Sequence, residues 1–535
     1  MKSIKKFLAV ILSMTLMLTL GTAAFGAQKT LPSGKDTGSI NVTNLKPGDT
    51  VTAYQFVKAD YNEYGFTGYS AINNYVKDPV APTAQEVIDM ASNAATMTVA
   101  AEKKVATGDT EVTLNGLPVG YYLVMVTSGS ETVYSPMIAG IYYSKSATDN
   151  TLTNGAISAD SDFEIKAQKC WAKSSTPKLE KTIVTPSSKN SKGDDIAIGD
   201  KITFNLSATV PSYSREYKKV TYKIYDIMSE GLDYVDGSMK CFIEKYENNR
   251  ENIKVTPKVN GGIIEITFDS KFILEHPGQK IQVEYQAKLN EKAGVNFDAN
   301  INKAYLEYSN NPASGSTAKT GEDKVYVYTF GIDSNLFGKS TEKWNEKTKE
   351  LIKVEEGEYQ WVETEKESGI FTTTTALEGA SFTLTNNKTK KSYTATSDKY
   401  GYLKFTGLDA GEYTLQETDA PDGFTLNDAK HTVVITAEYN QDGNLKSYTI
   451  KIDDKATSTY TATYDKGVIK TITSTKDSQG NISESAILKN SKMSFLPSTG
   501  GVGTTIFAIV GVVFVAAALG LHMILRGKSK LEQDR

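Results

Sequence analysis

Through most of this chain's middle, apolar and polar residues alternate one for one. Ile202, Phe204, Leu206, Ala208 and Val210 are separated by single polar residues. A strand sends successive side chains to opposite faces, so this pattern demands a sheet with one face buried and one face wet. Similar runs recur at Val220–Asp226, Ile263–Phe268, Ile281–Tyr285 and Asn302–Tyr308, and the clearest later strands are Ser381–Leu384, Tyr402–Phe405, Tyr413–Glu417, Val433–Ile435 and Tyr448–Ile452. Earlier, Ser39–Thr43 and Thr50–Tyr54 alternate like strands, and further strands are read at Glu111–Leu114 and Tyr121–Val126. Asp442-Gly443 stands where a hairpin turn is expected. A short helix is expected over 84–95, opened by Thr83 with Glu86 three residues on. No long helical period and no glycine-rich dinucleotide fingerprint interrupts the pattern. The fold class is therefore all-β: tandem immunoglobulin-like β-sandwich domains over residues 38–165, 174–329 and 330–492.

The two ends are read apart from the fold. Lys2, Lys5 and Lys6 precede an apolar run from Phe7 to Leu20 and then small residues, the order of a cleaved signal peptide over 1–27. At the other end Leu496-Pro497-Ser498-Thr499-Gly500 is followed by an apolar stretch over 504–525 and a basic tail over 526–535. The stretch is long enough for a transmembrane helix, and the basic tail holds its far end in the cytoplasm. A plain membrane anchor needs no such pentapeptide. The three parts in this order resemble the LPXTG sorting signal read by sortases, which implies secretion, transient membrane anchoring and covalent attachment to a Gram-positive cell wall.

Composition narrows the function. With 59 basic and 63 acidic residues the chain has no charge excess to favour nucleic acid. Its three histidines, His276, His431 and His522, argue against a Ser-His-Asp triad or a multi-histidine metal site. No cofactor, metal or enzymatic turnover is expected. Cys170 and Cys241 cannot form a CxxC site; in an exported chain they either pair as a disulfide or remain free thiols.

Several charged or amide residues fall in phase with the apolar ones. Lys181 lies between Leu179 and Ile183; Asp226 follows Val220, Tyr222 and Ile224; Glu417 follows Tyr413 and Leu415; Asn302 leads Ala304, Leu306 and Tyr308; Asn490 follows Ala486 and Leu488. An ionised group in a core costs several kcal/mol unless it is paired or neutralised. Burial favours the neutral lysine amine, a nucleophile, and the protonated carboxyl, which can polarise an amide and shuttle its proton. Lysine, asparagine and an acid in one dry core are the ingredients of a side-chain amide bond formed with loss of ammonia. Buried salt bridges or strand ends are the alternative.

Gly407–Glu417 echoes Gly116–Val126, with Glu417 replaced by Val126. The segment from Tyr413 to Phe424, YTLQETDAPDGF, resembles the E-box of sortase-assembled pilins, YxLxETxAPxGY. Leu377–Leu384 is similar to the opening of a CnaB-type domain, and Glu180-Lys181-Thr182-Ile183, Tyr225-Asp226-Ile227 and Asn302-Lys303-Ala304-Tyr305 are similar to that family's lysine, acid and asparagine positions. The resemblance covers essentially the whole chain. It implies Cna-type domains with two self-formed bonds, Lys181 to Asn302 helped by Asp226, and a third-domain lysine to Asn490 helped by Glu417. For that lysine Lys353 is favoured, with Lys339 second. The family's linkage lysine usually ends a YPK motif, absent here; Lys173 in Trp171-Ala172-Lys173 is the nearest match, with Lys166, Lys169 and Lys178 as alternatives.

What the resemblance implies is the backbone subunit of a covalent, wall-anchored pilus. A sortase would cleave after Thr499, and Lys173 of another copy would resolve the acyl-enzyme. The partners would be sortase, further copies, ancillary pilins, a peptidoglycan precursor and a host ligand. An ancillary tip or base pilin, or a monomeric wall-anchored adhesin, is the alternative.

Overall fold

The computed structural model describes residues 31–128, 131–144, 156–157, 163–184, 190–246, 249–341, 347–354, 358–364, 373–375, 377–399, 402–453, 456–475 and 486–490. Over 333–375 and 486–490 only the backbone is described. The signal peptide, the sorting pentapeptide, the C-terminal apolar run and His522 lie outside these residues.

The alternation reads out directly as burial. In the strand Lys201–Thr209, Ile202, Phe204, Leu206 and Ala208 are all buried while Thr203 and Asn205 are half-buried. In the middle domain two sheets face each other. One runs, in spatial order, Leu179–Ile183, Lys201–Thr209, Lys280–Leu289, Lys240–Tyr246, Asn249–Ile253. The other runs Gly193–Asp195, Asp323–Tyr328, Asn300–Asn311, Tyr222–Met228, Ile263–Thr267, Lys258–Asn260. Their inner faces share one core that includes Phe204, Leu206, Ile224, Val283, Ala304 and Leu306.

The first domain packs a three-stranded sheet against a larger one built on Thr50–Asn62 and Gly120–Thr127. Its helix, Ala84–Ser92, starts with the expected capping box: Thr83 accepts from Glu86 N–H while the Glu86 carboxylate accepts from Thr83 N–H. The strand Lys169–Trp171 pairs in parallel with Thr37–Thr43, and Cys170 and Ala172 are part of this core. The first unit thus runs past residue 165, because a short strand after a loop returns to the sheet.

The third domain holds a seven-stranded sheet ending in Leu445–Ile452, Ala456–Asp465 and Val468–Thr475. Gly443 takes φ +90° in the turn between Lys430–Tyr439 and Leu445–Ile452. Opposite stands a three-stranded sheet in the order Tyr402–Leu408, Phe330–Thr341, Ala486–Asn490. The charged stretch between them forms its own sheet of Lys347–Val354, Glu358–Thr364 and Thr373–Thr375.

The echo between first and third domains is a shared corner. Gly116 and Gly407 take φ +72° and +76°, and the Tyr122 hydroxyl donates to Pro118 O at 2.5 Å as the Tyr413 hydroxyl does to Asp409 O at 2.8 Å. A tyrosine bonded to the backbone four residues upstream fixes the turn and the phase of the strand that follows. Position 126 and position 417 therefore face equivalent cores; Val126 and Glu417 are both buried.

Cys170 and Cys241 are buried free thiols in the cores of different domains, which answers the open question of a disulfide. Burial pushes each thiol up to about 12, so neither is a ready nucleophile.

At the seam of the middle and third domains, Asp195 accepts from Ala410 N–H and the Tyr439 hydroxyl, each at 2.5 Å. Burial, against the pull of those two donors, lifts its carboxyl from 3.8 to about 6. The folded protein holds this proton more tightly than the unfolded chain. Its contribution is therefore most favourable below the unfolded value and is lost as pH rises through the folded one. Asp195→Asn should flatten that slope, measured as the thermal midpoint at about pH 4.5 and about pH 7.5. A variant that keeps the wild-type slope would refute the assignment.

Candidate functional site

Three in-phase polar residues of the middle domain meet across its two sheets. Lys181, Asp226 and Asn302 have no solvent exposure at all. Register explains two of them: Asp226 stands opposite Ala304, and Asn302 opposite Met228, so acid and amide occupy adjacent rows of one sheet. Lys181 comes from the facing sheet, on the edge strand Leu179–Ile183.

The Lys181 ammonium is ion-paired with Asp226 Oδ2. A fourth residue completes the cluster. The Tyr285 hydroxyl donates to Asp226 Oδ1 at 2.7 Å and accepts from Asn302 Nδ2 at 2.7 Å and from Lys181 Nζ at 3.2 Å. Among the described residues Asn302 Oδ1 has no hydrogen-bond partner. The Lys181 amine lies 5.0 Å from the centre of the Phe204 ring and 5.3 Å from that of Tyr285.

This setting decides protonation. Burial holds the Lys181 amine below its usual value, outweighing the attraction of Asp226. Burial, with the Asp226 charge beside it, raises the Tyr285 hydroxyl well above its usual value, so it remains a donor. The cluster thus holds an amine inclined to be neutral, an acid in contact with it and an amide with an open carbonyl.

Tyr285 is the member that sequence reasoning missed. It is in phase with Ile281 and Val283 and reads as an ordinary core aromatic. The available signal was a hydroxyl on a buried face, which requires a polar partner. Tyr285→Phe leaves the Asn302 amide and one Asp226 oxygen short of a partner, an expected cost of about 1–3 kcal/mol. Chemical denaturation in a Lys181→Met background, where no cross-link can form, measures it; an unchanged midpoint would contradict this geometry.

In the third domain Glu417 is 2% exposed and in phase with the fully buried Tyr413 and Leu415. Its Oε2 accepts from Asn427 N–H at 2.7 Å. The side chains of Lys339, Lys353 and Asn490 lie outside the described residues, but their backbone positions are given. Lys353 pairs with Tyr359 within the separate three-stranded sheet. Lys339 pairs with Leu488 in parallel, two residues before Asn490. The backbone thus brings Lys339, not the favoured Lys353, next to the strand of Asn490.

Lys173 is exposed, yet the chain on either side of it is pinned. Ala172 is fully buried, its N–H donates to Thr43 O at 2.9 Å, and its carbonyl accepts from Asn44 Nδ2 at 2.7 Å. The Lys173 carbonyl accepts from Ser135 N–H at 3.0 Å, and Trp171 beside it is 70% exposed. Lys169 and Lys178 are exposed and Lys166 is half-buried. His276 and His431 are used locally, on Phe272 O and on Asp453. Among the described residues no His, Cys, Asp and Glu group is arranged to hold a metal ion.

Residues 35–174 match the T6 antigen Ig-like domain, residues 370–447 the SpaA prealbumin-like fold domain, and residues 489–530 the LPXTG cell wall anchor motif. The trypsin-resistant surface T6 protein of Streptococcus pyogenes serotype M6 is 26% identical over 549 residues, covering 93% of this chain and 96% of that one. The anchor motif makes this a cell-wall-anchored surface protein, similar over nearly its whole length to that streptococcal surface protein. Its fold is that of the solved T6 backbone pilin of serotype M6 Streptococcus pyogenes, a modular three-domain structure decorated with variable loops and extensions. That likeness has a TM-score of 0.56 at 20% identity, covering 86% of this chain and all of that one.

Proposed function

We propose that the chain is the backbone subunit of a covalent pilus, joined from Thr499 of one copy to Lys173 of the next and locked internally by Lys–Asn bonds. The observation that carries the polymer reading is Lys173 itself: an exposed amine on a backbone pinned by Thr43, Asn44 and Ser135. A sortase acyl-enzyme at Thr499 needs an amine that reaches its active site, and a fixed backbone lowers the entropy cost of that approach. Boiling wall extracts in SDS tests the reading. A ladder of resistant species is expected; monomer alone would overturn it.

For the internal bond, the buried quartet supplies each role. Asp226 takes a proton from Lys181, freeing the amine to attack Asn302 Cγ. The Nζ–Cγ bond forms and the Cγ–Nδ2 bond breaks. The amide nitrogen leaves with one of the amine's protons as ammonia. Asp226 and Tyr285 are placed to carry protons between attacking and departing nitrogens. Burial away from water protects the neutral amine and makes each hydrogen bond count for more.

In the third domain the same chemistry is assigned to Lys339, Glu417 and Asn490. The parallel register of Phe330–Thr341 with Ala486–Asn490 supports Lys339 over Lys353 as the amine. Val126 replaces the acid in the first domain, so no bond of this type is proposed there.

A further inference from the structure

The strand that carries Lys181 is a sheet edge, paired among the described residues only with Lys201–Thr209. Edge strands leave alternate N–H and C=O groups turned outward, and they fray more readily than central ones. At Lys181 both groups are captured by side chains. Its N–H donates to Asp323 Oδ2 at 2.7 Å and its carbonyl accepts from Lys192 Nζ at 2.6 Å. Lys192 and Asp323 are joined to each other at 2.6 Å, with side chains 22% and 29% exposed.

The segment bearing Lys192 is itself tied on both sides. Ile183 N–H donates to Ser191 O at 2.7 Å, and Tyr326 N–H donates to Lys192 O at 2.9 Å. Asp323 belongs to a cross-strand row of the opposite sheet, Asp226, Ala304, Asp323. The ion pair therefore fastens the backbone of the amine-bearing residue to the strand beside the one that carries Asn302.

We propose that Lys192 and Asp323 are positioning residues for the middle-domain cross-link, a clasp that sets Lys181 against Asn302 before the covalent bond exists. The inference rests on the cross-linking reading above. Neither residue is hydrogen-bonded to the reacting atoms; each holds the Lys181 backbone, and their opposite charges act on its amine in opposite senses. Misplacement of a reacting group by about 1 Å can cost about 100-fold in rate. The pair's contribution to stability is expected to be modest, since a partly exposed ion pair is screened by water.

The test follows the intact mass of the full ectodomain at intervals after a short pulse of expression. Asp323→Ala and Lys192→Met should each slow the middle-domain loss of ammonia by about tenfold or more. Lys192→Arg, which keeps the cation and its donors, should restore a near wild-type rate. The same substitutions in a Lys181→Met background, compared by thermal unfolding, report the purely structural cost. Variants that are destabilised there yet lose ammonia at the wild-type rate would overturn the clasp while leaving the cross-link standing. A wild-type ectodomain that keeps its full mass would overturn the cross-link and the clasp with it. If Asp323→Ala does not fold, Lys192→Met and its arginine rescue carry the test alone.

Discussion

The mature, folded ectodomain is expected to weigh less than its sequence by two molecules of ammonia. Asp226→Ala should retain one ammonia, Glu417→Ala should retain the other, and the double variant should have the full sequence mass. The two sites lie in separate cores, so their effects should be independent. The stability readout should be large as well. Relative to an uncross-linked chain that keeps the ion pair, Asp226→Ala leaves the Lys181 amine buried without its acid, a cost of about 3–5 kcal/mol for a broken buried pair. It also forfeits the cross-link between residues 181 and 302. By the loop-entropy account used for disulfides, closing a loop of that size is worth about 4–5 kcal/mol. Asn302→Ala separates the two effects, because it removes the bond while keeping the ion pair. It should unfold between the wild type and Asp226→Ala. A full-mass wild type would end the cross-linking proposal, and a single loss restored only by Glu417→Ala would confine it to the third domain.

How far these sites can be read from the sequence depends on whether the signal is local. Period-two phase is local, and it places Lys181, Asp226, Asn302 and Glu417 on buried faces without any knowledge of the partner sheet. The corner shared by Tyr122 and Tyr413 is local too, which is why the substitution of Glu417 by Val126 stands out in a comparison of the two segments. Tyr285 is different. Its phase marks it only as core, and its hydroxyl gains a role because the Lys280–Leu289 strand faces Tyr222–Met228 and Asn300–Asn311 from the other sheet. The clasp is non-local in the same way, since Lys192 and Asp323 read as solvated charges until the sheet edge is assembled. Lys353 stands out in the sequence through its apolar neighbours Leu351, Ile352 and Val354, while the backbone pairs it within a separate sheet. The Phe330–Thr341 strand is harder to see, broken by Gly331 and Gly338, and its parallel pairing with residues 486–490 spans most of the domain. The returning strand Lys169–Trp171 was hidden for a similar reason: three residues carry too little pattern to show a parallel pairing with Thr37–Thr43.

Lys173→Arg is expected to abolish the SDS-resistant ladder while leaving secretion, folding and both ammonia losses unchanged. Arginine keeps the charge and nearly the same reach, but its guanidinium stays protonated and offers no usable amine to an acyl-enzyme. The side chain is exposed and the backbone is held by its flanking carbonyls, neither of which the substitution alters. A loss of polymer would therefore report chemistry at one nitrogen. Lys181 cannot substitute, being fully buried and committed to Asp226. Lys169 and Lys178 are exposed, so they are the proper controls, and Lys166, half-buried, is a third. A full ladder from Lys173→Arg would move the linkage to one of those three, and each can be tested by the same exchange. If a chain with all four replaced by arginine still polymerises, the joining amine lies outside this junction. If the wild type itself forms no ladder, the protein is a singly anchored surface protein: Thr499 would be joined to the wall alone, and the pinned backbone around Lys173 would serve only to fix the first domain against the second.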